Sequence, residues 1–66
     1  MNVVVNGEPR SMPAPVTVGS VVDGLGRGRK GVAVAVNEEV VPRSRWDATA
    51  LRDGDRLEVL TAAQGG

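Results

Sequence analysis

Four prolines limit where the extended segments of this 66-residue chain can sit in a sheet. A proline has no amide hydrogen to give a ladder, so a strand that carries one belongs at a sheet edge. Pro9, Pro13 and Pro15 fall in the second extended segment, which reads as a strand over Arg10 to Ala14 at best, beginning near Glu8. Pro42 closes the fourth, Val40-Val41. Three segments free of proline remain for the centre: Met1 to Val5, Val32 to Val36, and Arg56 to Ala62.

The connections follow from turn chemistry. Asn6-Gly7 is a two-residue hairpin signal, because both positions tolerate positive φ. Glu38-Glu39 reads as a turn into the fourth strand, and Asp53-Gly54-Asp55 as a tight turn into the last. Thr17 offers an N-cap, and behind it Val18, Val21, Val22 and Leu25 fall at i, i+3, i+4 and i+7. That spacing predicts one amphipathic helix over roughly Val18 to Arg27. Gly19, Gly24 and Gly26 each weaken it by about 1 kcal/mol relative to alanine, so packing of the stripe must hold it and Gly26 or Gly28 ends it. Val32, Val34 and Val36 alternate with Ala33, Ala35 and Asn37, which aims three valines at the helix. Trp46 and Leu51 anchor the stretch before the last strand.

The resulting order, two strands, a helix, two strands and a final strand, gives an α+β chain with a mixed sheet of four to five strands packed on one helix. This is the β-grasp, or ubiquitin-like, arrangement. A single domain over residues 1–62 is expected, with a flexible tail over 63–66.

Composition narrows the chemistry. The chain has no cysteine and no histidine, which removes disulfides, thiolate and imidazole metal ligands, and the usual nucleophiles and neutral-pH bases. Asp53-Gly54-Asp55 lacks the acidic series of a calcium loop, so no metal site is expected. Eight basic residues balance eight acidic ones, so no nucleic acid or anionic membrane is indicated as partner. No stretch reads as a leader or a membrane span, and a cytoplasmic location is the expectation.

The last two residues, Gly65 and Gly66, carry no side chain to pack and present a carboxylate at the end of the sequence. An enzyme that threads a peptide end through a narrow channel needs an end without Cβ atoms. Ala63 and Gln64 precede the pair, and four residues beyond Ala62 reach at most about 14 Å when extended. On the last strand, alternation puts Leu57 and Val59 toward the helix and Leu60 and Ala62 on the opposite face. Val4, Ala33 and Ala35 share that outer face by the same parity, making a modest apolar patch beside the root of the tail. Arg27, Arg29 and Lys30 read as a solvated basic cluster at the helix C-terminus.

Taken in order, these pieces resemble the ThiS family of sulfur carriers of thiamine biosynthesis. The likeness runs from Asn6-Gly7-Glu8 through Thr17-Val18, Val32-Ala33-Val34-Ala35-Val36-Asn37, Val40-Val41-Pro42-Arg43, Trp46 and Asp53-Gly54-Asp55 to Gly65-Gly66. The resemblance implies a carrier, not an enzyme. Its Gly66 carboxylate would be adenylated with ATP and Mg on a ThiF-like activating enzyme, with no cofactor bound by this chain. A sulfur donor such as a cysteine desulfurase would convert the adenylate to a thiocarboxylate, and a ThiG-like thiazole synthase would consume it. A monomer that passes between these partners is implied. The same fold and tail would also suit a molybdopterin-type or other sulfur carrier, or a ubiquitin-like protein modifier.

Overall fold

The computed structural model describes residues 1–61. Its elements are β1 (Asn2–Val5), β2 (Glu8–Ser11), α1 (Val18–Gly24), β3 (Val32–Val36), β4 (Glu39–Val41), a 3₁₀ helix (Arg43–Ala48) and β5 (Arg56–Thr61). The strands form one mixed sheet in the order β2-β1-β5-β3-β4. β1 and β5 run parallel, and the other neighbours are antiparallel. The strand that carries Pro9 and the strand that Pro42 follows are the edges, as expected, and the sheet with its α-helix is a β-grasp.

Proline is less disruptive in β2 than the sequence suggests. The strand starts at Glu8, as expected, and ends at Ser11, short of Ala14. Asn6 and Gly7 adopt φ of 52° and 83°, so the hairpin closes tightly and Val5 pairs directly with Glu8. Pro9 then faces Val4. In an antiparallel ladder the position next to such a closing pair turns its nitrogen away from the partner strand, so the missing N–H falls on the open edge.

The second hairpin turns one residue earlier than expected. Asn37 and Glu38, at φ of 50° and 74°, are its two turn residues, and Glu39 already pairs with Val36. This places Val40 opposite Ala35 and Val41 opposite Val34.

Thr17 caps α1 as its position predicts, its hydroxyl oxygen accepting from the Ser20 amide at 3.1 Å. The helix stops at Gly24, short of the expected Arg27. The Leu25 amide turns to the Val21 and Val22 carbonyls, Gly26 follows at φ 76°, and that left-handed residue carries the chain off the helix axis. The valine stripe packs as predicted. Val18, Val21 and Val22 join Val3, Val5, Val34, Leu57 and Val59 in the core, with Val32, Val36 and Leu25 half-buried around it. Trp46 belongs to this core, 1% exposed, and its indole N–H donates to the Val41 carbonyl at 2.9 Å. No helix among the described residues is long and apolar enough to cross a membrane.

Candidate functional site

Register fixes the outer face of the sheet. Leu60 stands opposite Ala33, Glu58 opposite Ala35, and Val4 beside Arg56. The structure therefore brings Val4, Ala33, Ala35 and Leu60 onto one face, as the alternation predicts. Leu60 is 67% exposed and lies one residue before Thr61. Ala62, Ala63, Gln64, Gly65 and Gly66, the remaining predicted site residues, lie outside the described residues.

The sequence reading missed Val40. It is 77% exposed, the largest exposure of any bulky apolar residue among those described, and its pairing with Ala35 extends the apolar strip across the sheet from Leu60. Two adjacent valines leave the parity of β4 ambiguous. The signal that resolves it is the asparagine at position 37: taking Asn37-Glu38 as the turn pairs Val36 with Glu39 and turns Val40 outward. Arg56 and Glu58 on β5 interrupt the apolar surface with one charge of each sign.

Asn6 contributes more than its turn. Its carboxamide reaches across to β5, where Nδ2 donates to the Val59 carbonyl at 3.1 Å and Oδ1 accepts from the Val59 amide at 2.8 Å. Asn37 holds the other end of the same strand, its Oδ1 accepting from the Arg56 amide at 3.0 Å.

Of the basic cluster after α1, Arg27 and Lys30 are exposed as expected, but Arg29 is not a solvated charge. Arg29 makes a bidentate bond to Asp23, with Nε and Nη2 donating at 2.9 Å each, and a second pair of bonds to Asp47 at 2.8 and 3.1 Å. The hydrogen bond from Arg29 holds both carboxyls below their ordinary range, and the two carboxylates in turn raise the guanidinium pKa, Asp23 more than Asp47. Arg29 and Arg43 each lie 5.8 Å from the centre of the Trp46 ring. Gly19 makes room for this arrangement, since a Cβ there would collide with the Asp47 carboxylate and the Arg29 guanidinium. The cluster ties the 3₁₀ helix to the end of α1 and sits away from the outer sheet face.

Asp53-Gly54-Asp55 is a turn, with Gly54 at φ 91°. Its carboxylates serve the fold: Asp53 accepts from the Asn2 amide, and Asp55 from the Arg52 amide and the Asn37 side chain.

Comparison with known proteins agrees with this architecture. The family model described as "ThiS family" matches residues 3–66. The sulfur carrier protein ThiS of Thermus thermophilus is 43% identical over 61 residues, which span 92% of this chain and 94% of that protein. A thiazole synthase of Paramagnetospirillum magneticum is 41% identical over 66 residues, and there this whole chain spans only 20% of the relative's length. The crystal structure of the thiamine biosynthesis protein ThiS from Geobacter metallireducens superposes with a TM-score of 0.81 at 35% identity, covering 100% of both chains. The chain belongs to the ThiS family.

Proposed function

We propose that this chain is a sulfur carrier of thiamine biosynthesis whose working group is the Gly66 carboxylate. As a member of a family of small carriers it is a substrate for enzymes and not itself a catalyst. One carboxylate oxygen attacks the α-phosphate of ATP, bound with Mg on a ThiF-like activating enzyme; pyrophosphate leaves and an acyl adenylate remains. The terminal sulfur of a persulfide, formed by a donor such as a cysteine desulfurase, then displaces AMP, and a thiol reductant cleaves the resulting acyl disulfide to leave the thiocarboxylate. A ThiG-like synthase takes that sulfur into the thiazole ring. The setting is the cytoplasm, and the carrier is a monomer that exchanges between partners.

The observation that carries this reading is the family match that extends through Gly65-Gly66 to residue 66. A chain without cysteine or histidine is suited to such a role, because a carrier needs a reachable carboxylate while phosphate clamps and metal belong to the enzyme. Thiazole synthases that contain a region similar to this whole chain support the ThiG-like partner. The deciding measurement is the intact mass of the protein isolated from its own cells. Replacement of one oxygen by sulfur is expected; a large isopeptide adduct would make the chain a protein modifier, and an unaltered mass would remove the carrier role.

The outer sheet face is the proposed docking surface for the activating enzyme, since an exposed apolar strip beside the root of the tail lets one contact hold the fold while the tail enters. Leu60→Asp puts a charge in the middle of that strip without touching the core. It is expected to raise the KM for the carrier about tenfold or more, the loss of roughly 1.4 kcal/mol of binding. Equal KM values for Leu60→Asp and wild type would move the docking surface elsewhere.

A further inference from the structure

We infer that Asn6 is a positioning residue for the working end of the chain: its carboxamide clamps β5 two residues before Thr61 and sets the direction in which that strand ends. The inference rests on the carrier function proposed above. β1 pairs with β5 only at Val4/Arg56 and Val5/Leu57, and at Asn6 the chain turns away into β2. The β5 backbone at Val59 thus passes the end of its partner strand while its side chain stays buried, at 7% exposed. Asn6 fills that gap. Its Nδ2 and Oδ1 bond to the carbonyl and the amide of the one residue Val59, supplying the donor and acceptor that a further β1 residue would have offered. β3 holds the other side of β5 through the Val32/Thr61 pair. The direction of the strand end is therefore set from both sides, by a strand on one and by a single side chain on the other.

Asparagine meets two demands at once. It tolerates φ of 52°, and it presents a donor and an acceptor in one plane. Glycine meets only the first, so Asn6→Gly keeps the turn and deletes the clamp. Asn37 supplies the matched control. It has φ of 50° in the other hairpin and holds Arg56 at the far end of β5, five residues upstream of Thr61.

The test compares wild type, Asn6→Gly and Asn37→Gly in ATP–pyrophosphate exchange with the ThiF-like enzyme, alongside amide hydrogen exchange at Val59. A strand end that wanders presents the carboxylate in attacking geometry less often, and Leu60, which lies on that end, loosens with it while Val4, Ala33, Ala35 and Val40 keep the rest of the face. Asn6→Gly is therefore expected to lower kcat about tenfold and to raise the KM for the carrier by less than Leu60→Asp does. The Val59 amide should exchange at least about tenfold faster. Asn37→Gly is expected to lose thermal stability to a similar degree while keeping kcat within about twofold. Equal kcat losses in the two variants, or a wild-type kcat in Asn6→Gly, would overturn the positioning role. If the wild-type chain supports no exchange at all, the carrier function itself fails, an outcome seen before either variant is assayed.

Discussion

Deletion of Gly66 is expected to abolish ATP–pyrophosphate exchange on the activating enzyme and to leave the thermal midpoint of the protein unchanged. The distance argument is direct. Removing one residue withdraws the carboxylate by about 3.5 Å, as far as the whole separation between reacting atoms in a productive complex. If the sheet face docks as proposed, it holds the fold in place and cannot move forward to make up the difference. Gly66→Ala keeps the reach and adds a Cβ where the channel expects none. A displacement of about 1 Å at the reacting atom costs on the order of a hundredfold in rate, which is the expected loss for this variant. Neither change reaches the fold, since the core is built from Val3, Val5, the helix valines, Val34, Trp46, Leu51, Leu57 and Val59. Scanning calorimetry checks the second half of the prediction in the same samples. Exchange at the wild-type rate in the deletion variant would place the reacting group elsewhere in the molecule.

Much of the frame of this protein is legible in its sequence because the local rules act on single residues. Pro9 and Pro42 choose the sheet edges, Thr17 starts the helix, and Val18, Val21 and Val22 point it at the sheet. Period-two alternation was enough to put Leu60, Val4, Ala33 and Ala35 on one face. The misses share a physical cause, which is that they depend on partners distant in sequence or on a turn read one residue out. Val40 could not be assigned a face while the turn was placed at Glu38-Glu39, because a shift of one residue reverses every side chain that follows. Arg29 looked like one of three exposed cations, yet Asp47, 18 residues away, and Asp23 take up its guanidinium. Asn6 was legible as a turn residue only. Its bond to Val59 spans 53 residues, and alternation assigns faces without saying which side chain completes a ladder. Gly26 ends the helix, one of the two glycines the sequence offers for it, and only the bound at Arg27 is too long, because a glycine with positive φ closes a helix before the apolar spacing runs out.

Trp46→Ala is expected to unfold the domain or nearly so. The indole is 1% exposed, it reaches the Val41 carbonyl through Nε1, and its ring lies 5.8 Å from both Arg29 and Arg43. Truncating a buried tryptophan to alanine costs about 3–5 kcal/mol. A domain of this length has a total stability of only about 3–10 kcal/mol, so the loss consumes a large share of it. Small size sharpens the effect, since so few side chains make up the core that neighbours cannot close over the hole. Trp46→Phe separates the two contributions. It keeps most of the apolar area but removes the N–H, so the Val41 carbonyl loses its partner at about 1 kcal/mol and the fold survives. Urea titrations followed by circular dichroism give both values; fluorescence serves only the wild type, because Trp46 is the sole tryptophan. The consequence reaches the site through β4. Register sets Val40 outward, and the Trp46 bond to the Val41 carbonyl holds the next residue of that edge strand, beside the proposed docking face. Trp46→Phe, still folded but with a looser β4, should therefore bind the activating enzyme more weakly than its small loss of stability explains, whereas a purely structural tryptophan would leave that affinity unchanged.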